Sequence, residues 1–246
     1  MKAVILAAGM GKRLGEHSKG KPKCLLEVGG STLLERSLTN LREGGLEDVV
    51  IILGFRGELI KALIGEHYKG LDITYVENRD YETTGNMYSL AKAKPLLNTD
   101  TMIIEADLIY QKDAISRLIN AKRQNTLLVG RLLHHGDDIY ICADNRGQIT
   151  NLGGEIENKN EAIGALLGIS KFSPEFMEKL FNQASRDFSE GNKNFHYEET
   201  ILKTSLSDHP VYALTCHDIN WTEVDNEADL KRARKEVYPK IIEADF

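Results

Sequence analysis

Short apolar runs, each closed by a glycine or a polar turn, recur through the first half of the chain. "KAVILAAG" (2–9), "DVVIILG" (48–54), "LDITYVEN" (71–78), "TDTMIIEAD" (99–107) and "TLLVG" (126–130) have this form. Such runs predict strands, buried on both faces where they lie inside a parallel sheet. Between them the spacing turns helical. Leu33, Leu34, Leu38 and Leu41 predict a helix capped by Ser31 and stopped at Gly44-Gly45. Further helices are expected over roughly 57–67, over 85–97 with Met87, Leu90 and Ala91 inward, and near 112–124. Strand–helix alternation with short crossovers predicts parallel neighbours and right-handed connections, so this half reads as doubly wound.

The pattern changes in the second half. "DDIYICADNRGQITNLGG" (137–154) alternates apolar and polar residues around Asn145-Arg146-Gly147, which predicts an antiparallel hairpin. "AIGALLGISKF" (162–172) is another strand, Ser173-Pro174 opens a helix, and helices are expected over 196–204 and 226–237. No internal repeat or low-complexity linker divides the chain.

At 246 residues the chain can bury a substantial core, and 41% apolar with 28% charged residues is an ordinary globular mix. The formal charge of −6 argues against a general nucleic-acid or acidic-membrane binder, so any anion site must be local. Three scattered cysteines, Cys24, Cys142 and Cys216, suit buried thiols better than a disulfide framework or a zinc site. The run Ala3 to Ala8 is too short for a signal or a membrane span, so a soluble, cytoplasmic protein is the expectation.

"LAAGMGKRLGEHSKGKPK" (6–23) puts a glycine loop directly after the first strand, at the carboxyl edge where open α/β sheets bind ligands. It fits neither familiar phosphate loop. A dinucleotide fingerprint would need glycine where Leu14 stands and an acid after the second strand, and a Walker loop would need Ser or Thr where Arg13 stands. Charge sharpens the reading: Lys12, Arg13, Lys19, Lys21 and Lys23 face a single acid, Glu16, which makes a local anion cradle in an acidic protein. A solvated basic loop is the plainer alternative.

"LAAGMGKRL…KPKCLLEVGGSTLLER" resembles the N-terminal signature of the nucleotidyltransferases that activate sugar phosphates and phospho-alcohols. The resemblance implies a Rossmann-like (GT-A-like) nucleotidyltransferase fold as one domain over 1–246. Its mostly parallel mixed sheet would be flanked by helices, with a small antiparallel excursion. Residues 1–130 would chiefly bind nucleotide and 131–246 the acceptor. It assigns the nucleotide to Leu6, Ala7, Ala8, Gly9 and Gly11, then to Lys12, Arg13 and Lys23, with Asn86, Ser89 and Ala106 further along. Glycines permit close backbone approach and the cations offset charge on a pyrophosphate leaving group.

"NMYSL" (86–90), "EAD" (105–107) and "WTEVD" (221–225) bring the chain nearest to the cytidylyltransferases acting on phosphocholine and 2-aminoethylphosphonate. Asp107 and Asp225 each stand at a strand end and would serve as helix caps if they had no catalytic role. The resemblance makes them ligands of Mg²⁺, which typically takes one or two carboxylates and completes its shell with phosphate and water. Lys23, Arg13, Asp107 and Asp225 are then the catalytic set. CTP and a small anionic phosphate or phosphonate acceptor are the implied substrates, while nucleic acid and membrane are not implied as partners. The oligomeric state, a homodimer included, stays open. A cationic acceptor end favours aromatic faces and a carboxylate, for which Tyr197, Glu198, Glu199 and Trp221 are candidates; Trp221 is equally suited to core packing. His134-His135 is expected in an exposed turn. The rival readings are a sugar-1-phosphate nucleotidyltransferase and a non-catalytic nucleotide sensor.

Overall fold

The first apolar run forms β1 (Lys2–Ala7), largely buried because strands pair with it on both sides. The computed structural model describes residues 1–11, 13–14, 20–133, 138–207 and 209–245. Two short strands, β2 (Glu27–Val28) and β3 (Ser31–Thr32), lead into helix α1 (Leu33–Glu43). The cap is Thr32 rather than Ser31. Its hydroxyl accepts from the Glu35 N–H, and the Glu35 carboxylate accepts from the Thr32 N–H at 2.9 Å, so two orphan donors are satisfied reciprocally. Leu33, Leu34, Leu38 and Leu41 are fully buried, as their spacing predicts.

Next come β4 (Asp48–Leu53), helix α2 (Gly57–Ile64), β5 (His67–Tyr68) and β6 (Leu71–Glu77). α2 ends earlier than expected because Gly65 takes a left-handed φ of 72°, and the residues after it pair with β6 as an antiparallel edge. Helix α3 (Asn86–Lys92), β7 (Thr101–Glu105), β8 (Leu108–Tyr110), helix α4 (Asp113–Ile119) and β9 (Thr126–Gly130) complete the first half. α4 stops at Ile119, not near 124, where the Lys171 ammonium donates to the Ile119 and Ala121 carbonyls at 3.3 and 3.0 Å.

The hairpin forms from β10 (Tyr140–Ala143) and β11 (Ile149–Gly153), followed by β12 (Gly164–Phe172) and helix α5 (Pro174–Ser189). Helix α6 (Tyr197–Ser205), β13 (Tyr212–Thr215), β14 (Trp221–Glu223), helix α7 (Glu227–Arg232) and helix α8 (Tyr238–Asp245) close the chain. A π segment, Ala233–Val237, joins the last two helices into one. Pro239 has no N–H for the carbonyl one turn back, which suits the widened turn just before it.

The main sheet runs β11-β10-β12-β7-β1-β4-β6-β5, and β9 pairs with β12 and β13. β7, β1, β4 and β6 are parallel neighbours, as expected. β9 is not beside β7, however. β12 lies between them and pairs antiparallel to both, with all nine residues buried and a register shift around Gly168, whose φ is 80°. Its continuous burial reflects neighbours on both edges and apolar layers on both faces, not a parallel environment. Alternate residues of the central strands feed two apolar layers: Ile5, Ile51 and Ile104 on one face, and Val4, Val50 and Ile103 on the other. Among the described residues, no helix is long and apolar enough to cross a membrane. All three cysteines are free and buried.

Candidate active site

Strand register brings the glycine loop and the first acid to one edge. Leu6 pairs in parallel with Glu105, so the loop after Ala7 and Asp107 beyond Glu105 leave the sheet on the same side. The second acid arrives from the far end of the sequence. β14 pairs antiparallel with β8, placing Glu223 opposite Leu108, and the Val224 N–H donates to the Asp107 carbonyl at 2.9 Å. Asp225 is thereby held beside Asp107.

Gly11 and Leu14 are held in place by the loop's own chemistry. Gly11 adopts φ 58°, the Leu14 N–H returns to the Gly11 carbonyl at 3.1 Å, and Leu14 is buried with Val28, Leu33, Val224 and Leu230. The leucine that breaks the dinucleotide fingerprint is therefore an apolar anchor. A Cβ added at Gly9 would meet nothing within 4 Å, so the backbone there borders open cleft. After Pro22, a single 3-10 turn buries Cys24 and Leu25 and leaves Lys23 facing the acids.

Lys23 bridges the acids. Its Nζ lies 2.6 Å from Asp107 Oδ2 and donates to Asp225 Oδ1, while an Arg13 guanidinium nitrogen lies 3.0 Å from Asp225 Oδ2. Burial opposes charge on Lys23, but Asp107 and Asp225 outweigh it and hold the ammonium above its ordinary range. Lys23, expected beside the α-phosphate, is a cation that both acids share.

A cleft of about 540 Å³ runs from this cluster along the sheet edge. It is lined by the expected Leu6, Ala8, Gly9, Arg13 and Lys23, by Asn86 and Ser89, and by Asp107, Glu198, Trp221 and Asp225. Ala7, Gly11 and Ala106 are not among the lining residues; Ala7 and Ala106 are buried and Gly11 is half-buried. Asn86 and Ser89 are already engaged: Asn86 Oδ1 accepts from the Tyr197 N–H at 2.8 Å, and Ser89 Oγ accepts from Asn78 Nδ2 at 2.9 Å. Tyr197 does not reach the cleft; its ring is fully buried and its hydroxyl donates to Glu105 Oε1 at 3.0 Å. Glu199 caps α6 through the His196 N–H. Lys12, Glu16, Lys19 and His134-His135 lie outside the described residues.

Glu105, Glu223 and Arg232 line the cleft without having been assigned a role from the sequence. Glu105, Asp107 and Glu223 each offer a carboxylate oxygen within 4.8 Å of the others. Burial first, then Asp107 and Asp225, push Glu223 up to about 9. Burial, then the carboxyls of Glu198, Glu223 and Asp107, hold Glu105 well above the usual range. Glu198 is raised chiefly by burial. Alternation would have flagged two of these, because 105/107 and 223/225 are i, i+2 pairs in extended chain. Arg232 is tied to Asp229 Oδ1 at 2.8 Å and Thr222 Oγ1 at 2.9 Å, and inside a charged helical stretch it carries no signal of its own.

The donor set fits a hard divalent ion. Asp107 Oδ1 is buried without a hydrogen-bond partner, and the carboxylate oxygens around it are the ligand type Mg²⁺ takes.

A glycine loop at the carboxyl edge of a parallel sheet, faced by acids from two distant segments, defines an α/β nucleotide-binding protein. The chain belongs to the MobA-like NTP transferase domain family, whose model matches residues 3–187. It is 28% identical over 242 residues to a CMP-5'-(3-aminopropyl)phosphonate synthase of Streptomyces rubellomurinus, covering 95% of this chain and 38% of that protein. With a CTP:phosphoglutamine cytidylyltransferase of Campylobacter jejuni it shares 26% identity over 252 residues, covering 94% of this chain and 98% of that one. The CTP:phosphocholine cytidylyltransferase of Streptococcus pneumoniae has the same fold, with a TM-score of 0.77 at 22% identity over 95% of this chain and 97% of its own.

Proposed function

We propose that the chain is a cytidylyltransferase that transfers CMP from CTP to a small phosphorylated or phosphono amino compound and releases pyrophosphate. The observation that carries this reading is the meeting of Lys23 with both Asp107 and Asp225 at the mouth of the glycine loop. The choice of cytosine and of acceptor class is supported by the named activities of the relatives.

An acceptor phosphate or phosphonate is ionised at neutral pH, so attack on the α-phosphorus needs no strong base, and positioning and charge stabilisation do most of the work. An acceptor oxygen forms the new bond to the α-phosphorus in line with the breaking bond to the β-phosphate oxygen, and the electron pair leaves on pyrophosphate. The amides around Gly9 and Gly11, with Arg13, take the β- and γ-phosphates. Lys23 exchanges an acid for the α-phosphate as the triphosphate enters, and so stays with the charge that develops. Asp107 and Asp225 would hold Mg²⁺, which supplies Lewis-acid stabilisation of the α-phosphate.

The test is pyrophosphate release with each of four nucleoside triphosphates and Mg²⁺, against phosphocholine, phosphoethanolamine, 2-aminoethylphosphonate, glycerol phosphate and hexose 1-phosphates. CTP with an amino-compound acceptor is the expected pair. Turnover confined to UTP or dTTP with a hexose 1-phosphate would establish the sugar-nucleotide reading instead, and no turnover with any pair would leave the sensor.

A further inference from the structure

One cleft wall is built around Glu105 and Glu198, which pair with no lysine or arginine among the described residues, although His196 lies near enough to Glu198 to favour its carboxylate. Glu198 is only 5% exposed, yet it lines the cleft, and its Oε2 has no hydrogen-bond partner. Glu105 stands beside it, close enough for the two carboxyls to share a hydrogen bond, and also receives the Tyr197 hydroxyl at 3.0 Å. The first turn of α6 that carries Glu198 is pinned at several points. The Tyr197 N–H donates to Asn86 Oδ1 at 2.8 Å, the His196 N–H donates to Glu199 Oε1 at 3.2 Å, and Gly85 packs so closely that a Cβ there would sit 2.0 Å from the Phe195 carbonyl. An acceptor oxygen held this rigidly and left unpaired is costly unless a ligand supplies a donor.

Tyr81 and Trp221, which line the cleft, are packed against other groups. Of the ring pairs among the described residues, none includes Trp221 or Tyr197, and Tyr81 is engaged edge-on with Phe55. The indole nitrogen of Trp221 is buried over Gly130, where an added Cβ would lie 2.1 Å from it. A quaternary ammonium is read by aromatic faces and has no N–H to give, so it would leave Glu198 unsatisfied. A primary ammonium carries three donors.

We infer that Glu198, with Glu105 beside it, selects an acceptor whose far end is a hydrogen-bond-donating ammonium and discriminates against a quaternary one. This rests on the transferase reading for the phosphate end, and the two can fail separately. Phosphoethanolamine and phosphocholine differ only by the three N-methyl groups, which makes them the probe pair. Calorimetric binding of each, with Mg²⁺ and CTP analogue present, and kcat/KM with CTP are both read. Phosphoethanolamine should be preferred by roughly ten- to a hundredfold, the scale of one buried group left unpaired. Glu198→Gln should erase most of that preference by raising KM for phosphoethanolamine while leaving phosphocholine nearly unchanged. If no pair turns over, the transferase reading fails and the binding preference still decides the inference. Equal or reversed preference in the wild-type protein, binding of neither probe, or equal losses for both in Glu198→Gln would overturn it; the wild-type comparison holds even if the variant does not fold.

Discussion

The two ends of the cleft treat carboxylates in opposite ways. Toward the loop, Asp225 has Lys23 on one oxygen and Arg13 on the other, and Asp107 shares Lys23. Toward α6, Glu105 and Glu198 face each other and a phenol, and both are held above the usual carboxylate range, chiefly by burial. At one end cations balance the carboxylates in place; at the other, burial favours the protonated carboxyl until a cation arrives. The first arrangement suits exchange of one cation for another around a polyphosphate, and the second suits capture of a donor.

The largest effect that would break this contrast belongs to the loop end. Asp107→Ala should lower turnover by about 10³-fold or more while the melting temperature changes little, and near-normal turnover would refute the assignment. Lys23→Met removes the cation shared by two acids, so metal-free protein should lose about 3–5 kcal/mol, the cost of breaking a buried pair. Millimolar Mg²⁺ should restore much of that loss in thermal melts; no recovery would mean that the acids do not accept a divalent ion.

For the buried glutamates, two toward α6 and Glu223 beside Asp107, the sign reverses. Glu105, Glu198 and Glu223 have folded values raised above their unfolded ones, so their contribution is fully present below the unfolded value near 4.3 and is lost as pH rises, through about 9 for Glu223. Metal-free protein should therefore lose stability from pH 5 toward 9, and Glu198→Gln should flatten part of that slope. A flat wild-type profile would contradict the cation-starved description. The smallest expected effect lies far from both ends: Thr32→Ala should cost about 1 kcal/mol through its capping box and leave turnover unchanged.

Most of the strands and helices were legible in the sequence because their periodicity is local. So was the loop, whose glycines and cations are contiguous. The place of β12 was not: nine buried residues look alike whether their neighbours run parallel or antiparallel, and only long-range pairing with β7 and β9 decides. Asp107 and Asp225 were found through motif likeness, but their meeting depends on the β8–β14 pairing of short strands. Tyr197 was expected to touch the acceptor and instead buttresses Glu105 from beneath, a difference of facing that the sequence around α6 does not encode.

The central claim is that the early loop and two remote acids gather one divalent ion and one triphosphate. Titration of Mn²⁺ followed by electron paramagnetic resonance, with and without CTP, tests it most directly. Tight Mn²⁺ binding should need CTP in the wild-type protein, and should be lost in Asp107→Asn and Asp225→Asn but kept in Glu199→Gln. Undiminished CTP-dependent Mn²⁺ binding in both aspartate variants would contradict the account.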